Sequence, residues 1–333
     1  MRDGELAILS FSHRGAALAR RMAAALGGTA ACTKDGDYTL KSWTAEKFPT
    51  ARGLIFVGAV GIAVRAVAPY LTGKDSDCAV VAVDESGLYA VAVASGHLGG
   101  ANHLAREAAK VCGGFAVIST ATDTRGVFAA DEWARVQRCT VLDAHAIKRV
   151  SAKALEGEAI LVRSVFPVTG EPPEGVRLTD SERPDVWVDV HPHPELTIVP
   201  PALVLGVGCR RGTPQEVLES RFEELCRVRG IVPQAVRAAA SIDLKADEPG
   251  LLAFCQAHGW PFSTYPAEAL RHAEGTFSAS DFVTQQTGVD NVCERSAVLS
   301  AKGPLLVKKY AGGGVTMALA QAEVTLDWRW KDG

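Results

Sequence analysis

The sequence lacks a charge excess of either sign. Its 35 lysines and arginines stand against 38 aspartates and glutamates, a formal net charge of −3, whereas a general nucleic-acid surface shows as a strongly basic domain. No nucleic-acid partner is expected, and any basic site must be local. Long apolar runs are missing as well. The most apolar window, Leu54–Val64, ends at Arg65 and then Pro69, well short of the roughly 20 apolar residues of a membrane-spanning helix, so no membrane partner is expected either. None of the eight cysteines (Cys32, Cys78, Cys112, Cys139, Cys209, Cys226, Cys255 and Cys293) belongs to a CxxC pair. That spacing argues against zinc ribbons and thioredoxin-type redox motifs, and no protein-held metal is expected. The opening Met1-Arg2-Asp3-Gly4-Glu5 and the short apolar run behind it are too brief and too acidic for a secretory leader. Together with reduced thiols, this points to the cytoplasm.

What is present reads as α/β. At roughly 150 residues per domain, 333 residues make about two domains. Short apolar runs at Leu6–Phe11, Gly53–Val57, Cys78–Val83, Leu88–Ala94 and Phe115–Ser119 alternate with helical patterns at Arg14–Leu26, from the Gly58–Gly61 break to near Pro69, and at Leu98–Cys112. Eight prolines crowd residues 166–201, with Trp187–Val190 as an expected edge strand. His191-Pro192-His193 in that stretch reads as an exposed loop. At residue 203 a strand, Leu203–Gly208, meets a turn and then Thr213-Pro214-Gln215-Glu216, which has the pattern of a capping box with proline at the first helical position. The architecture expected is two layered α/β domains with mixed sheets joined by a small, proline-rich middle segment, with boundaries at 1–138, 139–201 and 202–325.

In open α/β sheets ligands bind where strands end and helices begin, and four stretches put polar or small residues there. Gly58-Ala59-Val60-Gly61 leaves backbone amides at a strand end, with Arg65 the only charge in the apolar run that follows. Ser95-Gly96-His97-Leu98-Gly99-Gly100-Ala101-Asn102 is a glycine-rich turn carrying a histidine able to act as acid or base near neutrality. The amides of Gly99 and Gly100 beside it are placed to stabilise an oxyanion. Ser119-Thr120-Ala121-Thr122-Asp123 follows a strand directly, its aspartate a catalytic carboxylate or a helix cap. Gly206–Gly212 spells GxGxxxG, one residue off the dinucleotide fingerprint and without its acidic partner; its Arg210 and Arg211 suit carboxylate or phosphate binding. Further on, the Ser241–Glu248 segment allows either substrate contact or an internal ion network, and Thr287–Arg295 turns into a helix capped by Asp290 or Asn291.

These blocks resemble the CbiG family of cobalamin biosynthesis. GAVGIAVRAVAP (58–69), VVAVDESG (80–87), SGHLGGAN (95–102) and STATD (119–123) are similar to its N-terminal part. LGVGCRRGTP (205–214), SIDLKADEPGL (241–251), PFSTYPAEAL (261–270) and TGVDNVCERSA (287–297) are similar to its C-terminal part. The resemblance implies cobalt-precorrin-5A hydrolase activity: opening of the ring-A δ-lactone, then loss of a two-carbon fragment as acetaldehyde. It implies no cofactor beyond the cobalt carried by the substrate, a small-molecule cobalt-corrinoid polycarboxylate. It leaves open transient contact with neighbouring pathway enzymes and a homo-oligomer.

That chemistry asks for a base to activate water, for which His97 or Asp123 is expected, with oxyanion donors and dispersed cationic anchors. His97 and Asp123, with the Gly99 and Gly100 amides, are the expected catalytic set. Arg65, Ser95, Asn102, Arg210, Arg211, Asp243, Lys245 and Glu294 are the expected substrate-binding set. Two other readings stay open at this point: a protein that binds and hands on a corrinoid intermediate without turnover, and a nucleotide-dependent enzyme using the Gly206 turn.

Overall fold

The computed structural model describes residues 4–73, 76–97, 99–279, 284–285 and 287–330, in three units each built on a sheet. The first unit has strands β1 (Leu6–Ser10), β2 (Gly28–Cys32), β3 (Gly53–Val57), β4 (Ala79–Val83), β5 (Tyr89–Ala94) and β6 (Phe115–Val117), in the order β2-β1-β3-β4-β5-β6. All neighbours are parallel except β4 and β5, which form a hairpin closed by Asp84–Gly87. Four helices cover it: α1 (His13–Leu26), α2 (Leu40–Lys47), α3 (Val60–Val67) and α4 (Ala101–Cys112). Leu98, where the sequence pattern starts this last helix, lies outside the described residues.

The layering follows from side-chain alternation. Along β1, β3 and β4 every residue but the end polar one is apolar, and successive side chains enter opposite cores. Leu6, Ile8, Ile55, Val57, Val81 and Val83 meet α1 and α4 on one face. Ala7, Leu9, Leu54, Phe56 and Val80 meet Trp43 and Phe48 and the alanines of α3 on the other. Small buried residues on α1 (Gly15, Ala16, Ala19, Ala23) recur at helical spacing and let the helix lie close to the sheet. Its start is fixed by Ser12, whose hydroxyl accepts the Gly15 amide at 3.0 Å.

Where a small middle segment and linker are expected, the chain builds a folded unit. It holds α6 (Ala130–Val136) and α7 (Ala144–Leu155), after the short α5 (Ala121–Arg125). Strands β7 (Thr140–Val141), β8 (Ile160–Ser164), β10 (Val176–Leu178), β11 (Val186–Val188) and β12 (Leu196–Val199) line up as β10-β8-β11-β12-β7, and β9 (Val168–Thr169) stands apart. The expected edge strand is β11, and it is central, paired on both sides. The prolines all fall in the connections, so they remove no ladder hydrogen bond.

The third unit has β13 (Leu203–Cys209), α8 (Gln215–Arg229), β14 (Val236–Ile242), α9 (Pro249–Ala257), β15 (Phe262–Tyr265), β16 (Leu305–Gly312) and β17 (Val315–Gln321), with the sheet order β15-β14-β13-β17-β16. A helix over Cys293–Ala301 covers its second face. The capping box does not form: α8 begins one residue later than its pattern indicates, and the Thr213 hydroxyl donates to the Arg210 carbonyl instead. Asn291 lies one residue ahead of the N-cap, Val292, and its side chain accepts the Glu294 amide at 2.9 Å.

The second and third units share one core, with Val162, Val188 and Ile198 in the same cluster as Leu205, Phe222 and Leu319. The chain end returns to the second unit as β18 (Leu326–Asp327), paired with β9. Trp328 then stacks on Trp133 of α6 at 5.0 Å, and the Trp133 indole donates to the Asp327 carbonyl at 2.7 Å. Phe128, Ala130, Trp133 and Ala134 thus belong to the second unit's core. By packing, the first unit ends before Phe128 rather than at 138. Removing the fully buried Trp133 ring in Trp133→Ala should lower stability by about 3–5 kcal/mol, read as a fall in the urea midpoint, with Trp328→Phe costing less because a ring remains in the stack.

Candidate active site

Sheet direction brings the site together. β5 runs against β4 and β6 runs with β5, so the C-terminal ends of β5 and β6 lie side by side. The Ser95–Asn102 turn leaves the first and the Thr120–Asp123 segment follows the second. The turn is tight. Ser95 sits at φ 58°, and Gly100 at φ 85° gives its amide to the His97 carbonyl at 2.8 Å. A side-chain carbon on Gly99 would lie 2.2 Å from the Ser95 Cβ. These glycines shape the crest that carries His97, and the Gly100 amide is engaged within the turn rather than free as an oxyanion donor.

His97 Nε2 lies 2.9 Å from Asp123 Oδ2, and Nδ1 lies 3.0 Å from Asp131 Oδ2. The Thr122 hydroxyl is 3.3 Å from Nε2. Asp123 also accepts Arg106 Nη2 at 2.6 Å, Asn102 Nδ2 at 3.0 Å and the Thr120 hydroxyl. Asn102 and Arg106 are one turn apart on α4 and so share a face. Asp131 comes from α6 and is only 3 % exposed.

Burial opposes a charge on His97, but the hydrogen bond and charge of Asp131, the hydrogen bond to Asp123 and the charge of Glu132 outweigh it and push the pKa to about 9. Burial would raise the Asp123 pKa, yet Thr120, His97 and Arg106 hold it below the usual carboxylate range. Burial raises that of Glu132 against the pull of Arg135. At neutral pH His97 is therefore an imidazolium with both N–H groups donating. It has no lone pair to offer, so the role of resting base does not fit it, and Asp123 is a weak base. An acid and a fixed positive charge do fit.

The other expected residues lie elsewhere. The Gly58–Gly61 turn follows the carboxyl end of β3, at the opposite end of the strands from His97, its Gly58 amide bound to the Val83 carbonyl, and Arg65 is exposed on α3. Arg210 and Arg211, exposed, follow β13, and the exposed Asp243 follows its parallel neighbour β14. Lys245 is there too, 3.0 Å from buried Glu248, which also accepts the Gly212 amide. Glu294 is not with them: fully buried, it accepts the amides of Ser278 and Lys309, the Ser278 hydroxyl and Asn291 Nδ2, so its carboxylate holds structure together and faces no ligand surface. The space beside Gly206 is filled by the Cys293 carbonyl, 1.8 Å from where a Cβ would sit, so this glycine serves the close packing of a neighbouring backbone. His191 and His193 both bond Asp189, and His193 stacks on Trp187 at 3.9 Å. Among the described residues no group of three or more His, Cys, Asp or Glu is placed to hold a metal ion. Nor is any helix there long and apolar enough to cross a membrane.

The family description "Cobalamin synthesis G N-terminal" matches residues 42–123, and "Cobalamin synthesis G C-terminus" matches residues 203–320. A protein named cobalt-precorrin-5A hydrolase from Salmonella typhimurium is 33 % identical over 95 % of this chain and 97 % of its own length. The chain belongs to the CbiG family. A second protein of that name, from Priestia megaterium, is 30 % identical over 82 % of this chain and 79 % of its own. Protein CobE from a Sinorhizobium species is 36 % identical over 35 % of this chain and 79 % of its own.

The N-terminal CbiG description takes in His97, Arg106 and Asp123, while Asp131 falls between it and the C-terminal one. Sequence reasoning missed Arg106 and Asp131. Their signals were an arginine one turn beyond Asn102, and two adjacent acids set in Phe128-Ala129-Ala130 and Trp133-Ala134. The raised His97 pKa stabilises the fold fully below the ordinary value of ~6.5, and this contribution is lost as pH rises through about 9. Melting temperature should therefore fall over that window by an amount worth on the order of 3 kcal/mol, and His97→Gln should show a flatter profile.

Proposed function

We propose that this CbiG-family chain is a cytoplasmic cobalt-precorrin-5A hydrolase of the anaerobic cobalamin pathway, forming cobalt-precorrin-5B and acetaldehyde. The relatives of that name support the substrate, and the charged His97 between two carboxylates carries the chemistry. The cobalt belongs to the substrate, and the protein supplies acid–base groups and anchors.

Water adds to the lactone carbonyl, and the His97 imidazolium stabilises the charge that develops on its oxygen. When the ring C–O bond breaks, His97 gives its proton to the leaving oxygen. Both water protons pass to solvent, one on addition and one as the new carboxylic acid ionises. The now neutral ring takes the proton back from the freed hydroxyl. Its O–H pair becomes the aldehyde C=O, the adjacent carbon–carbon bond breaks, and the electron pair of that bond enters the conjugated macrocycle as acetaldehyde leaves. His97 ends as it began. Arg210, Arg211 and Lys245, beyond the carboxyl ends of β13 and β14 in the third sheet, and Arg65 on the first unit are anchors for the peripheral carboxylates.

The test is acetaldehyde release from cobalt-precorrin-5A generated in situ. His97→Gln should lower it by about 100-fold or more while substrate still binds. Full turnover in that variant removes His97 from the mechanism. Tight binding with no acetaldehyde from the unaltered protein marks a carrier instead. The double variant Arg210→Ala, Arg211→Ala should raise KM several-fold and leave kcat nearly unchanged, since it removes binding remote from the reacting bonds.

A further inference from the structure

The two carboxylates on His97 are not equivalent. Asp123, on the first unit, is surrounded by other donors: Arg106, Asn102 and Thr120. Asp131 is delivered by α6, whose Phe128, Ala130, Trp133 and Ala134 neighbours are locked into the second unit's core. One of its oxygens meets His97 Nδ1 at 3.0 Å, and the other is buried with no hydrogen-bond partner. Next to it, Glu132 turns one oxygen to Arg135 Nε at 2.9 Å and keeps the other buried and unpartnered. The Ser95 hydroxyl, at the left-handed start of the His97 turn, is unpartnered as well.

A buried carboxylate without compensation is costly. Among the described residues, His97, Arg106 and Arg135 face Asp123, Asp131 and Glu132, and His97 contributes its positive charge only while the ring is protonated. No cation other than His97 touches Asp131 among the described residues.

We propose that Asp131 is the positioning residue of this site, holding His97 in its doubly protonated state from the second unit and drawing a proton back onto the ring whenever one is given up. The groups facing the ring are Asp123 and Thr122 on α5, Asp131 and Glu132 on α6, and, across Asp123, Asn102 and Arg106 on α4. Asp123 keeps its own cation when the ring turns neutral, whereas Asp131 keeps none. The countercharge that goes uncompensated is therefore Asp131's, and it makes neutral His97 a strong base towards the freed hydroxyl. The raised His97 pKa, with Asp131 as its principal upward cause, agrees with this geometry. The catalytic consequence rests on the hydrolase reading; the hold on the proton does not.

The experiment is a pH titration of the His97 imidazole nitrogens by NMR in the full-length protein, without substrate, beside the pH profile of acetaldehyde release. The wild-type ring should titrate near 9. Asp131→Asn should weaken its proton affinity by tenfold or more, and Glu132→Gln by less. The alkaline limb of kcat should move to lower pH with Asp131→Asn, while KM stays nearly constant. A wild-type ring titrating near 6.5, or an unchanged titration in Asp131→Asn, overturns the proposal. If Asp131→Asn fails to fold, Asp123→Asn decides: the ring should stay well above 6.5 there, and a fall to 6.5 assigns the hold to Asp123 and overturns it. A shifted titration without any acetaldehyde leaves Asp131's role standing and removes the hydrolase reading.

Discussion

A protonated ring held between Asp123 and Asp131 is the constraint on which this molecule is arranged. Burial opposes a charge on the ring, and the carboxylates set against both of its nitrogens outweigh that cost. The pairing needs two differently packed pieces of the chain at once. The first sheet presents His97 and Asp123 on adjacent strand ends, and α6 brings Asp131 from the core of the second unit. An acid–base group has been placed at a seam, with the seam supplying half of its electrostatics.

The rest of the fold makes α6 a rigid support. Trp133 is stacked on Trp328, Gln137 exchanges hydrogen bonds with Asp327, and the returning chain end pairs with β9. Because the second and third units share one apolar core, the cationic strand ends around Arg210, Arg211 and Lys245 are carried on the same body as Asp131. Under the proposed function, anchors and proton-holding carboxylate approach the substrate together.

Much of the fold was legible. Continuous apolar strands such as Gly53–Val57 and the small-residue helix His13–Leu26 signal themselves because both faces of a parallel sheet must be covered closely. The middle unit was not legible, because its strands are two to five residues long and its prolines dominate the pattern. Whether such prolines interrupt a ladder or fall between strands depends on pairing, which a single chain does not display. Glu294 misled for a related reason: a carboxylate in a polar turn looks the same whether it faces a ligand or takes four hydrogen bonds from its own chain.

By itself the sequence determined the layered α/β class, the glycine turn that displays His97, the polar strand end that carries Asp123, and the kinship those motifs spell. These are local properties, set by residue type, spacing and turn chemistry. Tertiary structure alone decided which of the motifs meet. Reversal of direction between β4 and β5 separated Gly58–Gly61 from His97, and the packing of Trp133 brought Asp131 against the ring. The protonation state followed from those contacts, because a pKa is set by the charges and burial around a group and not by its neighbours in the chain.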